Sequence, residues 1–396
     1  MALVEPFAPE AIEDPFPSWE ILRREAPVYS MPETGMWLVT RHADLVEAAA
    51  RPEVFSSRIS AVMYAGQGTN PAVIEADPDA IGAVDVLATQ DPPAHTLQRK
   101  LIGKRFTRAR VRAFEPFVRR FVRDALAGAP GEVEWMTAVA TPVPLAIIAA
   151  MLGLPRDRRD DVHRWADAGI DLLSGVASPE RMAEAWAEMV SFFDFLGAQL
   201  ADPAPETVTA DVAGAIAHGE LTDREGASLM LQLVIAGSES TASLIGSAVA
   251  LLGGEPGLQA HVRADAGLLP KFLEEVLRLE SPFRGHFRVT TEATTLGGVA
   301  LPKGARVMLM WGSANRDERA FPSPGALDTG RARLSSHVGF GSGIHTCVGA
   351  PLARMEAAAA IAALLEETQS FELFEPVRHV PSLFVRRPAR VPIRLR

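Results

Sequence analysis

The sequence has little cysteine, no excess of positive charge, no long unbroken apolar run and no internal repeat, and each absence excludes something. One cysteine, Cys347, in 396 residues leaves no intrachain disulfide and no cysteine zinc cluster. Lys and Arg number 39 against 49 Asp and Glu, a formal net charge of −10. A chain that lives on nucleic-acid phosphate should be basic, so no nucleic-acid partner is expected. The opening MALVEPFAPEAIEDPFPSWE has acids and prolines where a secretory signal needs a basic run and an apolar stretch. With the lone cysteine, this reads as a cytoplasmic protein in a reducing compartment. One uncharged stretch, Ala138 to Pro155, is broken by Pro142 and Pro144. A spanning helix needs about 20 predominantly apolar residues, so the block Leu145–Leu152 reads as a buried helix and no membrane is expected.

What is present is ample apolar material. The chain is 48% hydrophobic and 22% charged, enough for a large core and too much for disorder. Length alone suggests about two or three domains. The Pro- and Gly-rich pieces Ala65–Pro71, Asp202–Glu206 and Gly253–Gly257 are short, however, and read as loops. Residues 1–396 therefore read as one domain, mainly α with a minor β portion. Met36–Val39 reads as a strand after the turn Pro32–Gly35, and His42–Ala50 as a helix. Residues 56–90 read as a long loop with short helical pieces, and loops of this length tend to be functional. Helical patterns cover Pro93–Ala127 and residues 145–152, 156–174, 178–201 and 209–217. Residues 291–310 read as turn-rich β structure, Leu352–Thr368 as an Ala-rich helix, and the tail as short strands.

The clearest helix opens on a capping box, Thr222-Asp223-Arg224-Glu225, and its pattern runs to about Leu252. It is apolar enough to cross the interior, yet its middle reads Ala236-Gly237-Ser238-Glu239-Ser240-Thr241. Gly, Ser and Glu there lower helix stability. Two readings stay open: a kink with self-satisfied serines, or a backbone opened beside a ligand.

Cys347 sits in Phe340-Gly341-Ser342-Gly343-Ile344-His345-Thr346-Cys347-Val348-Gly349, just before a helix. Glycines let backbone approach a flat partner, and a helix N-terminus favours a thiolate. An iron ligand or a nucleophile both fit. A GxGxxG dinucleotide loop does not, because its third glycine would fall at Ile344. A nucleophile elbow does not fit either.

Phe340-x-x-Gly343-x-His345-x-Cys347-x-Gly349 resembles the haem-binding signature of cytochrome P450. Glu275-Val276-Leu277-Arg278 is similar to that family's ExxR helix, Ala236–Ser240 to its oxygen-activating segment, and Asp91-Pro92-Pro93-x-His95-x-x-x-Arg99 to a haem-propionate segment of bacterial members. The resemblance implies the P450 fold, haem b with Cys347 as its axial thiolate, and a monooxygenase that inserts one oxygen atom from O2 into a hydrophobic small molecule. A thiolate pushes electron density onto iron and favours O–O cleavage. Electrons would come from NAD(P)H through a ferredoxin reductase and an acidic ferredoxin.

The same resemblance implies roles. His95, Arg99, Arg288 and His345 are candidates for the two propionates, and Phe340, Gly341, Gly349 and Ala236 for the cradle of the ring. Glu275 and Arg278 would brace the loop around the cysteine, with Arg331 or Arg333 as third partner. Glu239 and Ser240 would deliver protons through water. Most members carry Thr where this chain has Ser240. The serine can rotate and bond the carbonyl of Ala236, and Thr241 points about 100° further round the helix. The basic run Arg99, Lys100, Lys104, Arg105, Arg108, Arg110 and Arg112 would flank the proximal face, where complementary charge speeds docking of the ferredoxin. Substrate walls are expected from residues 60–90, 234–238, 283–287 and 382–384, with Met63, Val234, Phe283, Phe287 and Phe384 suited to an apolar guest. Arg284 and His286 are unusual in such a wall. Two other classes remain open: a non-catalytic haem carrier or sensor, and a cysteine-nucleophile hydrolase.

Overall fold

The computed structural model describes residues 4–32, 34–58, 61–65, 71–75, 84–129 and 131–396. The fold is a helix-rich body with a smaller β-rich region. The helical body forms around Asp223–Gly254, which at about 1.5 Å per residue spans about 48 Å. Its start is fixed locally. Thr222 Oγ1 accepts from the Glu225 amide at 3.2 Å, and Glu225 Oε2 accepts from the Thr222 amide at 2.8 Å. Its end follows from Gly253 and Gly254 before Pro256, two residues past the expected stop at Leu252. Leu229, Met230, Leu244, Ile245, Val249 and Leu252 on this helix are all buried. Each such side chain contributes about 1.5–3 kcal/mol of burial. They pack against helices Pro142–Leu152, Pro179–Ala201 and Ala350–Glu367. The central helix is long and apolar enough to cross a membrane, but 72% of its most apolar window lies inside the body.

The helix runs without interruption through residues 236–241. The opened-backbone reading is thus corrected in favour of self-satisfied serines. Ser238 Oγ donates to the Val234 carbonyl and Ser240 Oγ to that of Ala236, each at 2.8 Å. Back-bonded hydroxyls of this kind leave the i→i−4 ladder intact.

The β-rich region is a five-stranded sheet in the order Val28–Ser30, Trp37–Val39, Arg306–Leu309, His286–Thr290, Phe55–Ser56. Only Trp37–Val39 and Arg306–Leu309 run parallel. In the central antiparallel pair, Leu309 faces His286 and Val307 faces Arg288. A second sheet joins Glu132–Glu134 to Phe371–Leu373 and Pro392–Leu395.

Two expectations change. The basic pattern from Pro93 to Ala127 divides into helices Ala94–Gly103, Arg108–Arg112 and Glu115–Ala127. Between residues 56 and 90 the chain forms a hairpin, Ala61–Tyr64 against Ala72–Glu75, and one 3-10 turn, Leu87–Thr89. Four-residue strands carry too few periods to be told from helix in sequence. Residues 60, 66–70 and 76–83 of the expected wall, residue 59 of the expected loop and Glu33 of the expected turn lie outside the described residues.

Candidate functional site

The cysteine loop is shaped by backbone. Gly341 and Gly343 take φ of +74° and +70°, which L side chains rarely adopt. A Cβ on Gly343 would lie 2.2 Å from the Ala49 carbonyl oxygen, so only glycine lets the loop cross there. The Cys347 amide donates to the Phe340 carbonyl at 2.8 Å, closing the turn. Helix Ala350–Glu367 begins three residues on, with Gly349 as its cap. Burial pushes the Cys347 thiol up, while the amides of Gly349 and Ala350 and the charges of Arg99 and Arg354 pull the other way. Unpaired N–H groups of a first helical turn favour an anion at this sulfur.

The sulfur opens into a cavity between the loop and the central helix. From the helix, Gln232, Leu233, Ala236, Gly237, Ser240, Thr241 and Leu244 face it, a stripe at helical spacing. Phe340, Gly341 and Gly349 line it from the cysteine side, and Phe283 from the β-rich region. Four expected wall residues do not line it. Val234 sits about 100° past Leu233 around the helix and is fully buried in the core. Phe287 alternates with His286 and Arg288 along its strand, so it points into the opposite layer. Met63 joins it there, beside Leu383. Phe384 stands one layer behind the wall, 5.7 Å from the His286 ring and 6.2 Å from Phe283.

His95, Arg99, Arg288 and His345 all reach the cavity, and no carboxylate lines it among the described residues. His95 is buried with neither ring nitrogen hydrogen-bonded. Its pKa is lowered by burial and Arg99. Burial and the cations Arg288 and Arg99 hold His345 down to about 3, and its Nε2 lies 2.8 Å from Ser57 Oγ. Arg288 donates to the Phe287 carbonyl at 2.6 Å, and no acid among the described residues forms an ion pair with it. Asp91 of the Asp-Pro-Pro segment turns away to accept from the Ser57 amide at 2.9 Å. Unmatched cations and an orphaned buried histidine suit an anionic partner.

The cytochrome P450 sequence profile matches residues 208–381. Cytochrome P450 144 of Mycobacterium tuberculosis is 37% identical over 97% of this chain and 90% of that protein. The chain belongs to the cytochrome P450 family. The vitamin D(3) 25-hydroxylase of Pseudonocardia autotrophica is 32% identical over 96% of the chain and 94% of its own length. Among solved structures, cytochrome P450 CREJ in complex with (4-ethylphenyl) dihydrogen phosphate aligns with a TM-score of 0.89 at 30% identity, covering 99% of this chain and 98% of that one. The chain is a P450 monooxygenase, and the family carries haem on a cysteine thiolate. The residues present fit that group. There is one cysteine, glycines where a flat ring must approach, and cations with no acid where two propionates would sit.

The ExxR segment forms a closed triad. Arg278 meets Glu275 through two bonds of 2.6 and 2.9 Å, and Arg331 Nε donates to Glu275 Oε1 at 3.0 Å. Arg333 takes no part; it caps a 3-10 turn with φ of +59°. Arg278 also donates to the carbonyls of Asn315, Pro324 and Ala326. The triad thus grips the segment 315–331 rather than the cysteine loop itself. The link to the loop is Asn315, whose Oδ1 accepts from the Val338 amide at 2.7 Å. Burial pushes Glu275 up, but Arg278, the Asp328 amide and Arg331 outweigh it and leave its pKa lowered.

Sequence reasoning missed other partners because they are distant in the chain. His337 and Arg354 both bond Glu274, and the Arg354 guanidinium lies 4.4 Å from the Phe340 ring centroid. Arg284 is not in the wall: it donates to the carbonyls of Ile12 and Val385. His286 is in the wall, held by Trp311. Glu239 is buried outside the cavity lining, with Arg387 Nε 3.1 Å from its Oε1. Burial raises its pKa to about 7 against the pull of Arg387, with Asp167 and Asp171 adding to the rise.

Two outcomes are expected. Glu275→Ala leaves two buried guanidinium groups without their carboxylate, a loss of about 3–5 kcal/mol. It should appear as a lower unfolding temperature and poor recovery of haem-loaded protein. Glu239 keeps its proton to about pH 7 in the folded chain but only to its ordinary 4.5 when unfolded. Its contribution to stability is therefore fully present below about pH 4.5 and is lost as pH rises through about 7. Glu239→Gln mimics the neutral acid. It should match the native stability near pH 4 and exceed it at pH 8, by about 3 kcal/mol at most, which is read as a higher unfolding temperature at pH 8 alone.

Proposed function

We propose that this P450 inserts one oxygen atom of O2 into an apolar small organic molecule, with electrons passing from NAD(P)H through a ferredoxin reductase and an acidic ferredoxin. The observation that carries the reading is the convergence, on one cavity, of the only cysteine, five cationic or imidazole side chains and a hydroxyl-bearing helix face. Cys347 would hold haem iron, and His95, Arg99, Arg288 and His345 its propionates. Phe340, Gly341, Gly349 and Ala236 would flank the ring. When bound, haem supplies the one-electron and dioxygen chemistry, aided by electron density from the thiolate.

The chain's own side chains exclude water, hold the guest and move protons. Leu87, Ile148, Leu233, Leu244 and Phe283 form the apolar wall. A relative named for hydroxylating vitamin D(3) supports an apolar guest. Ser240 and Thr241 line the cavity, the Ser240 hydroxyl bonded back to the Ala236 carbonyl, while Glu239 faces Arg387 on another side of the helix. The acid therefore reaches the hydroxyls through water or by leaving Arg387, as a general acid with pKa near neutrality can. Lys100, Lys104, Arg108, Arg110 and Arg112 are exposed and suit an acidic ferredoxin. Arg105 and Arg99 have other work, the first paired with Asp211 and the second facing the cavity.

The proposal treats residues 1–396 as one domain, supported by sheets that join distant parts of the chain. It puts the enzyme in the cytoplasm, where a reducing milieu keeps a lone thiol free.

Two experiments test this reading. Native protein should be coloured by haem and give the red-shifted ferrous–CO band of thiolate ligation, and Cys347→Ala should lose that band. Persistence of the band would remove Cys347 as ligand. A colourless protein inactivated by thiol reagents would favour the hydrolase, and bound haem without NAD(P)H-coupled product the carrier. The second concerns Ser240, which donates to the Ala236 carbonyl at 2.8 Å and so turns from the cavity. The native chain should release some hydrogen peroxide. Ser240→Thr, stiff at χ1, should raise product per NAD(P)H, and Ser240→Ala should raise peroxide while oxygen is still consumed. Equal yields in native and Ser240→Ala protein would exclude Ser240 from the relay.

A further inference from the structure

His286 is the one imidazole of the cavity whose proton position the structure fixes. Trp311 Nε1 lies 2.7 Å from His286 Nδ1. An indole N–H only donates, so Nδ1 is the acceptor and the ring proton sits on Nε2. Burial and Arg288 hold the ring's pKa down to about 3, so it stays neutral. The ring is clamped by Phe283 at 4.9 Å and Phe384 at 5.7 Å between centroids. Backbone sets the contact: Leu309 pairs with His286, and Trp311 follows two residues later. A Cβ on Gly285 would lie 2.6 Å from the Leu309 carbonyl oxygen, so only glycine lets the strands approach this closely. Nε2 has no hydrogen-bond partner among the described residues, and the side chain lines the cavity.

We propose that His286 determines substrate specificity: its Nε2–H binds a neutral oxygen acceptor, a carbonyl, on an otherwise apolar guest. The inference rests on the monooxygenase reading and names the substrate class for that site. Charge count favours a neutral acceptor. The cavity is lined by two permanent cations, Arg99 and Arg288, which match the two propionates of haem. A carboxylate on the guest would be a third anion without a cation. The other polar groups of the wall are less suited. Ser240 donates to its own helix, and Gln232, whose Oε1 accepts from the Ala88 amide at 3.0 Å, hangs on a flexible stem. A donor already held in place loses little entropy on binding.

The test compares 2-tetralone, tetralin and tetralin-2-carboxylate by equilibrium titration of the haem Soret band in native, His286→Phe and Trp311→Phe proteins. The ketone should bind native protein on the order of tenfold tighter than tetralin. His286→Phe should abolish that preference with tetralin affinity kept, and Trp311→Phe, which frees the tautomer, should reduce it. A ketone that binds no tighter than tetralin, or a preference that survives His286→Phe, overturns the proposal. So does tighter binding of the carboxylate that is lost in His286→Phe. Faster haem transfer to apomyoglobin from His286→Phe, with the ketone preference unchanged, would make a propionate the acceptor instead. The ferrous–CO band of each sample separates the two levels. Its absence from native protein overturns the haem–thiolate reading, and its presence without ketone preference overturns only the role of His286.

Discussion

A fully buried carboxylate holds the segment that leads into the cysteine loop in register. Glu275 is 0% exposed, as is Arg278, and such a pair is tolerable in the interior only when every remaining donor finds a partner. Here the donors reach outward. Arg278 and Arg331 take carbonyls of Pro322, Pro324, Ala326 and Asn315, all in a segment without regular secondary structure. Irregular backbone buried beside helices would otherwise leave carbonyls unsatisfied. Asn315 then passes the constraint on. Its amide group bonds Ser281 Oγ on one side and Val338 on the other, at the entrance to the cysteine loop. The ion pair is thus a means of fixing a loop, more than a source of net stability.

The cavity shows the opposite electrostatics. Cations gather with no acid among the described lining residues, and Asp91, whose charge reaches His95 and Arg288, is turned to the backbone at Ser57. The cost is visible in the histidines. His95, His286 and His345 all have lowered pKa values, from burial and from the neighbouring guanidinium groups. Two propionates would offset that field. Their arrival should raise the pKa values of His95 and His345 and give the orphaned nitrogens of His95 a partner. Glu239 sits outside this field, on another side of the central helix, where its neighbours are Arg387, Asp167 and Asp171.

Much of this was legible in sequence, for local reasons. Thr222-x-x-Glu225 and the Gly253-Gly254 stop gave the central helix to within two residues, because caps are local chemistry. The glycines around Cys347 read as room for a flat partner, and Gly343 is in addition required where the loop crosses the backbone of Ala49. Orientation was harder. Phe283 and Phe287 look alike as wall residues, but strand alternation sends Phe287 into another layer, and the strand's start was not evident from five residues. Val234 failed for the matching reason on a helix, where a shift of one position turns a side chain by about 100°. Arg387, Trp311 and Arg354 were invisible because their partners lie 148, 25 and 80 residues away.

The central helix explains how one element serves both stability and chemistry. Its cavity stripe runs through Gln232, Ala236 and Ser240, spaced by four, and in the middle of it small residues replace the leucines found elsewhere on the helix. Gly237 lies against Ile148, where even a Cβ would come within 3.2 Å, so the neighbouring helix can pack closely there. Small residues also leave Ala236 and Ser240 open to the space where haem and guest must fit. Glycine and serine lower helix propensity. The loss is offset by the buried leucines that flank them, and the serine hydroxyls are satisfied on their own helix. The same back-bonding that keeps the helix intact turns the Ser240 hydroxyl away from the cavity. Continuity of the helix and presentation of a proton donor therefore compete for one hydroxyl, and a residue stiff at χ1 would tilt that competition toward the cavity.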